Sequence, residues 1–155
     1  MKITCRELFL VVFLFLSNVR FAWASPYPQY LNENKNLVLV AGHQGVAWYL
    51  QLDSINVECC RLPYHVVSAR LVGAMAKDCF VENFDMVAND DFLDMEFYYD
   101  TKNGKMFIAD KDGILTWINP EGSYAEVGVA LPTARYLWNY VFAKAERFLN
   151  VLDIN

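Results

Sequence analysis

The sequence predicts an α+β fold: an antiparallel β-sheet of about five to six strands packed against a C-terminal amphipathic helix. Short β-prone runs separated by turn residues fill residues 37–118 and end in a three-stranded meander. A later segment, residues 132–149, repeats apolar residues at three- and four-residue steps. A sheet with one bare apolar face and one amphipathic helix together form a complete two-layer core.

The first strands are short and closely spaced. Residues 37–41 (LVLVA) form a β-prone run, residues 42–45 (GHQG) a turn, and residues 46–52 (VAWYLQL) a second strand. An Asp-Ser pair at residues 53–54 then offers a side-chain cap to the backbone, and apolar alternation resumes in residues 55–58.

The middle of the chain contrasts one clear strand with an aperiodic acidic stretch. Residues 64–74 (YHVVSARLVGA) alternate between an apolar and a more polar side, which is typical of a strand with one solvent-facing side. Residues 77–91 are rich in acids and have no clear period. We therefore predict a connection with a short irregular piece for residues 77–91.

The meander has the strongest local signals. Residues 92–100 (FLDMEFYYD) and 106–110 (MFIAD) flank Asn103-Gly104, a pair that supplies the positive φ angles of a tight hairpin turn. A second turn, Asp-Lys-Asp-Gly at residues 110–113, leads to the third strand, residues 114–118 (ILTWI).

The closing helix is predicted from its apolar stripe. Pro132 suits a first helical turn because its fixed φ angle is compatible with a helix and its missing N–H would have no partner there. The stripe consists of Leu137, Val141, Phe142, Ala145, Phe148 and Leu149.

The first 24 residues have the order of a secretory signal peptide. Lys2 and Arg6 form a basic start, residues 8–16 are uninterruptedly apolar, and Ala22-Trp23-Ala24 fits the small-x-small rule for cleavage. The apolar run is about half the ~20 residues that a spanning helix needs. We therefore expect residues 1–24 to be cleaved, and export to the periplasm, the cell surface or the medium.

What remains after cleavage bounds the domain and its partners. Residues 25–36 are predicted to be an extended leader and residues 37–155 a single domain, with no transmembrane span. Loss of three basic residues and one acid leaves ten basic and seventeen acidic residues, a net charge of −7. Such a surface repels phosphate backbones, so no nucleic-acid partner is expected.

Three cysteines would survive cleavage: Cys59, Cys60 and Cys79. Export permits disulfides, and an odd number leaves at least one thiol over. Adjacent residues on a strand point to opposite faces, so only one of Cys59 and Cys60 can face Cys79 easily. We predict a possible Cys60–Cys79 disulfide with Cys59 as the alternative partner, or no pairing.

The cysteines also raise two chemical alternatives. Cys59 or Cys60 could be a nucleophile with His65 or His43 as its base, but no oxyanion loop or nucleophile elbow surrounds them. Zinc sites favour paired short spacings, which this C-C-x4-H arrangement lacks. We therefore predict no catalytic residue, no metal site and no cofactor.

Calcium has one weak signal. Asp110-x-Asp112-Gly113 resembles the start of a calcium loop, but the rest of the twelve-residue loop pattern, including its terminal Glu, is missing. A hairpin turn is the more frequent meaning of such a segment, and we predict one here.

Six residues carry a family resemblance: Tyr49, Asp53, Ser54, Ile55, Trp117 and Pro120. The Y-x-x-x-D-S-I pattern and the later W-x-x-P, in a chain of strands closed by a helix, resemble the small exported domains of the surface-adhesin protein E family. The resemblance implies a β-rich domain at the bacterial surface that binds host matrix or serum proteins. The six residues themselves have the character of fold-forming positions.

Together these features predict an exported, non-enzymatic surface or periplasmic domain, and the resemblance implies an adhesin-like module. Its expected partners are extracellular or envelope proteins, and its oligomeric state does not follow from the sequence. The alternatives are a small exported cysteine-dependent enzyme and an accessory envelope protein with no dedicated ligand.

Overall fold

The computed structural model describes residues 25–61, 64–78 and 83–152, with the backbone alone for residues 59–61 and 143–152. The predicted signal peptide and Cys79 lie outside these residues. The elements are β1 Leu37–His43, β2 Val46–Gln51, β3 Asn56–Arg61, β4 Tyr64–Ala76, β5 Met86–Asp100, β6 Lys105–Ala109, β7 Leu115–Trp117, α1 Tyr124–Val127 and α2 Ala130–Leu152.

The strands form one antiparallel sheet in the order β1-β2-β4-β5-β6-β7, with β3 also paired to β4. The described sheet thus has seven strands where we expected five to six. The additional strand arises because β2 and β3 pair with successive parts of β4, Leu50 opposite Leu71 and Asn56 opposite Ser68. A single 3-10 turn, Leu52–Ser54, separates them.

Strand β5 corrects the prediction for residues 77–91, because it begins at Met86 within the acidic stretch. Its pairing with β4 passes from Phe92 opposite Val72 to Ala88 opposite Ala74, so residues 89–91 all lie opposite Gly73. This bulge hides the strand from sequence reasoning, because a bulge breaks the two-residue alternation that signals a strand.

The two hairpin turns are built differently from each other. Gln44 and Gly45 have φ angles of 50° and 78°, as a two-residue turn with both central residues left-handed requires. In the β5–β6 turn, Gly104 is left-handed but Asn103 is not. Asn103 instead donates its backbone and side-chain N–H groups to the Asp100 carboxylate, at 3.0 and 2.6 Å.

Helix α2 covers one side of the sheet. Leu131, Ala134 and Leu137 are buried in one cluster with strand residues that include Phe97 and Tyr99. The hydroxyl of Tyr99 donates a buried hydrogen bond of 2.8 Å to the carbonyl oxygen of Ala134. The combination of an antiparallel sheet and a C-terminal helix confirms the α+β class.

The segment before β1 lies against the other side of the sheet. Leu31 is fully buried in a second cluster with Tyr49 and Met86. The Tyr49 hydroxyl donates to the carbonyl oxygen of Pro28 at 3.2 Å, and the ring of Tyr27 meets Phe84 edge-on at 4.9 Å. Residues 25–36 therefore contribute core side chains to the fold.

Candidate functional site

The side of the sheet turned away from α2 carries a row of apolar and aromatic residues. Val66, Tyr98, Phe107 and Trp117 are successive register partners on β4, β5, β6 and β7. Tyr64 joins them, with its ring centroid 5.8 Å from that of Tyr98 and 5.9 Å from that of Phe107. We call these five residues the aromatic row.

The rings of the aromatic row form a partly wetted surface. Trp117 is 50% exposed, whereas Tyr64, Tyr98 and Phe107 are half-buried and Val66 is fully buried. Half-exposed aromatic rings with a polar tip suit a surface that contacts a partner, since each buries much area with few rotatable bonds.

A groove of about 620 Å³ lies beside the aromatic row on the same side of the sheet. Arg70 and Asp94, register partners on β4 and β5, form a two-pronged ion pair there, with N–O distances of 2.7 and 3.1 Å. The hydrogen bond from Arg70 lowers the pKa of Asp94 and raises the pKa of Arg70. The groove is also lined by Ser54, Ser68, Glu96, Ala109, Asp110 and Lys111.

Glu96 connects the groove to the aromatic row, because its carboxylate accepts a hydrogen bond of 2.9 Å from the Tyr98 hydroxyl. The guanidinium of Arg70 also lies 5.9 Å from the ring centroid of Phe92, which extends the surface along β5. The groove and the row thus form one continuous surface of aromatic rings and paired charges, which we call the open face.

Three residues of the family resemblance have structural roles around the turn after β2. Ser54 donates to the Gln51 carbonyl oxygen at 2.6 Å and accepts from the backbone N–H of Arg70 at 2.8 Å. Tyr49 is fully buried, and burial raises its pKa to about 12. Ile55 packs against the cluster beneath α2.

Asp53 is exposed and holds the turn from outside. Its carboxylate accepts from the Gln51 amide at 2.8 Å, and its backbone N–H donates to the Asn36 side chain at 3.0 Å. Hydrogen bonds from Asn36 and Gln51 lower the pKa of Asp53.

Trp117 and Pro120 occupy the surface. Trp117 belongs to the open face, and the carbonyl oxygen of Pro120 accepts a hydrogen bond of 2.9 Å from Arg135. Strand alternation in the sequence was a usable signal for an outward Trp117. By contrast, the Arg70–Asp94 pair could not be found, since it depends on the register between β4 and β5.

The backbone shows where Cys59 and Cys60, the candidate nucleophiles, lie relative to His65. The β3–β4 pairing skips between Glu58 opposite Val66 and Arg61 opposite Tyr64, so Cys59 and Cys60 lie opposite His65. The imidazole of His65 is exposed and meets the ring of Phe142 edge-on at 5.3 Å. The cysteine side chains, and the predicted disulfide with Cys79, lie outside the described residues.

The turn at residues 110–113, which resembles the start of a calcium loop, is held together by its first aspartate. The Asp110 carboxylate accepts from the backbone N–H groups of Asp112 and Ile114, at 2.9 and 2.8 Å. Across the part of the chain that the structure describes, no three histidine, cysteine or acidic residues converge as a metal site would require.

His43, the second candidate base, is the last residue of β1, whereas Cys59 and Cys60 belong to β3. Its ring contacts that of Tyr124 on α1, with centroids 5.1 Å apart.

The chain matches no protein-family model, no curated protein and no solved structure. Among the described residues, no helix has the length and apolar character to cross a membrane.

Proposed function

We propose that this protein is an exported, non-enzymatic binding module that holds a protein partner on its open face. One observation carries the proposal: the aromatic row lies beside the Arg70–Asp94 groove, on the side of the sheet opposite α2. The N-terminal signal-like sequence and the resemblance to surface adhesins support an extracellular or envelope protein as the partner.

The chemistry of the open face favours a protein over a polyanion. Asp94 and Glu96 line the groove beside Arg70, so both signs of charge are present within one surface. Tyrosine, tryptophan and arginine are the residues most enriched among binding hot spots in protein interfaces. A nucleic acid would meet carboxylates next to its phosphates, which is unfavourable.

We also propose that α2 is an amphipathic helix. Leu131, Ala134 and Leu137 are buried and Arg135 and Asn139 are exposed in its first turns. This division supports the amphipathic helix that the sequence predicts.

The proposal is tested with purified residues 25–155 immobilised on a biosensor and presented with envelope fractions and with purified matrix and serum proteins. Trp117→Ser should weaken capture of a specific partner by at least about tenfold, since tryptophan is among the residues most enriched in binding hot spots and Trp117 is 50% exposed. Arg70→Ala should weaken capture as well, because it removes the charge that pairs with Asp94.

Met75→Ser is the matched control. Met75 is 54% exposed but alternates to the other side of the sheet from Ala74, so it should leave capture unchanged. Equal loss for Met75→Ser and Trp117→Ser would contradict the assignment of the open face. Absence of capture from every fraction would favour an accessory envelope protein.

A cysteine-dependent enzyme is the second candidate, favoured by the position of Cys59 and Cys60 opposite His65. Such an enzyme needs a thiolate at neutral pH, which would react rapidly with iodoacetamide at pH 6. We expect slow alkylation at pH 6, and a fast reaction lost in His65→Ala would instead support the enzyme.

A further inference from the structure

A second cavity, of about 450 Å³, lies on the α2 side of the sheet, where the helix passes the end of the β5–β6 hairpin. Tyr99 and Met106, register partners on β5 and β6, meet Trp138 of α2 there. The open face is on the other side of the sheet, so this cavity is independent of the proposed protein-binding surface.

The cavity has an apolar floor. Tyr99 is 2% exposed, and its hydroxyl is already occupied by the Ala134 carbonyl oxygen, so its ring is what remains to contact a ligand. The rings of Tyr99 and Trp138 lie 5.1 Å apart, and the Met106 side chain is half-buried beside them. A thioether beside aromatic rings adapts readily to ligands of different shape.

The rim of the cavity is basic. Arg135 and Lys105 both line it, and neither forms an ion pair with any described residue. Arg135 donates one hydrogen bond to the Pro120 carbonyl oxygen at 2.9 Å, which leaves most of its five N–H donors available. Asn139, one helical turn further along, adds an exposed amide.

The acid at this rim, Asp100, is already hydrogen-bonded by the hairpin turn. The Asp100 carboxylate accepts hydrogen bonds from the Asn103 side chain and from the backbone N–H groups of Lys102 and Asn103. These contacts tie its charge to the turn, so Asp100 opposes an incoming anion less than an unpaired carboxylate would.

We propose that this cavity binds a small amphipathic carboxylate, with its apolar body against Tyr99, Met106 and Trp138 and its carboxylate at Arg135. The volume lies within the range of small-molecule sites, which are mostly apolar with a few fixed polar groups. Arginine suits the anionic end because its planar fork matches a carboxylate. A straight alkyl chain and a flat aromatic body share this chemistry.

The test titrates residues 25–155 with decanoate and with 2-naphthoate and follows the tryptophan indole N–H signals by NMR, supported by calorimetry. Three tryptophans remain after residue 24: Trp48, Trp117 and Trp138. The Trp138 signal, assigned through Trp138→Phe, should shift on saturation while that of Trp117 stays in place. Which carboxylate binds more tightly distinguishes the alkyl from the aromatic ligand.

Arg135→Gln should weaken binding of the tighter-binding carboxylate by about tenfold, which is the loss expected for a charged hydrogen bond. The same substitution should leave the affinity for the neutral analogue 2-naphthamide unchanged. Arg135→Lys should retain part of the affinity for the carboxylate. Arg70→Gln is the matched control, because it removes an arginine from the open face alone and should change nothing here.

Two results would overturn the inference. One is a Trp138 signal that shifts with neither decanoate nor 2-naphthoate at millimolar concentration. The other is equal affinity of the unmodified protein and a folded Arg135→Gln variant, with folding checked by the dispersion of the same NMR spectrum. Neither result bears on protein capture by Trp117, so this inference and the proposed function fail separately.

Discussion

Tyr99 and Ala134 connect the sheet to its helix through a buried hydrogen bond of 2.8 Å, from the phenol to a main-chain carbonyl oxygen. Burial also raises the pKa of Tyr99, because the charged phenolate would be desolvated there. Tyr99 thus contributes both apolar area and a specific polar contact to the junction of β5 and α2.

Removal of that hydroxyl should destabilise the protein. Tyr99→Phe is expected to lower the free energy of unfolding by about 1–1.5 kcal/mol, since it deletes one buried hydrogen bond and keeps the ring. Urea unfolding followed by circular dichroism measures the change. Tyr98→Phe, at the adjacent half-buried position, is the matched control and should cost less. A larger loss at Tyr98 would contradict the role given to Tyr99.

Alkaline pH should destabilise the protein through the buried phenol of Tyr49. The folded pKa of Tyr49 is raised from 10.0 to about 12, so the unfolded chain loses this proton first as the pH rises. The stability that Tyr49 contributes is therefore complete below pH 10 and decreases up to about pH 12, by about 1.4 kcal/mol per pH unit.

The Tyr49→Phe variant tests this pH dependence. Its free energy of unfolding should fall less steeply above pH 10 than that of the unmodified protein, because the titrating group is absent. Urea titrations at a series of alkaline pH values give the two slopes, and parallel curves would show that Tyr49 does not carry the effect.

Acid should weaken the β5–β6 turn. Hydrogen bonds from the Asn103 side chain and from nearby backbone N–H groups lower the pKa of Asp100 below 3.8. Its stabilising effect is therefore present above pH 3.8 and is lost as the pH falls through the lower folded value. The stability advantage of the unmodified protein over Asp100→Asn should shrink between pH 4 and 2 in urea titrations; a constant difference would contradict the prediction.

The segment before β1 can be tested through Gly42. A Cβ atom at Gly42 would lie 2.5 Å from Cδ2 of Tyr27, too close for the ring to stay in place. Gly42→Ala should therefore cost about 1–3 kcal/mol of unfolding free energy. The same change in a Tyr27→Ala background should cost almost nothing, because the obstructing ring is gone. Additive effects of the two substitutions would show that Tyr27 does not pack on Gly42.

The predicted disulfide calls for a thiol count. If Cys60 or Cys59 pairs with Cys79, denatured residues 25–155 should show one free thiol before reduction and three after it. Cys79→Ser should then raise the first count to two. Three thiols without reductant in oxidatively prepared protein would exclude any internal bond.

The predictions from sequence succeeded where the signal was local. Strand β4 was expected at residues 64–74 and extends over Tyr64–Ala76, because strict alternation marks a half-buried strand. The helix was expected at residues 132–149 and α2 spans Ala130–Leu152. The predicted start of β5, at residue 92, was wrong, because the three residues opposite Gly73 interrupt the alternation of the strand.

The candidate sites depend on distances along the chain that local patterns do not encode. Arg70 and Asp94 are 24 residues apart and meet only through the β4–β5 register. Tyr99, Met106 and Trp138 likewise surround one cavity only because α2 passes the hairpin end. Each residue alone is compatible with a plain surface or core position.

The sequence by itself determined the α+β class and the order of the elements, because side-chain periodicity and turn chemistry act over a few residues. Only the tertiary structure decided which aromatic rings lie on the same side of the sheet and which charges pair. It also decided that residues 25–36 pack against part of the sheet. Those outcomes depend on strand register and on the packing of α2, which arise when apolar surfaces from distant parts of the chain are buried together.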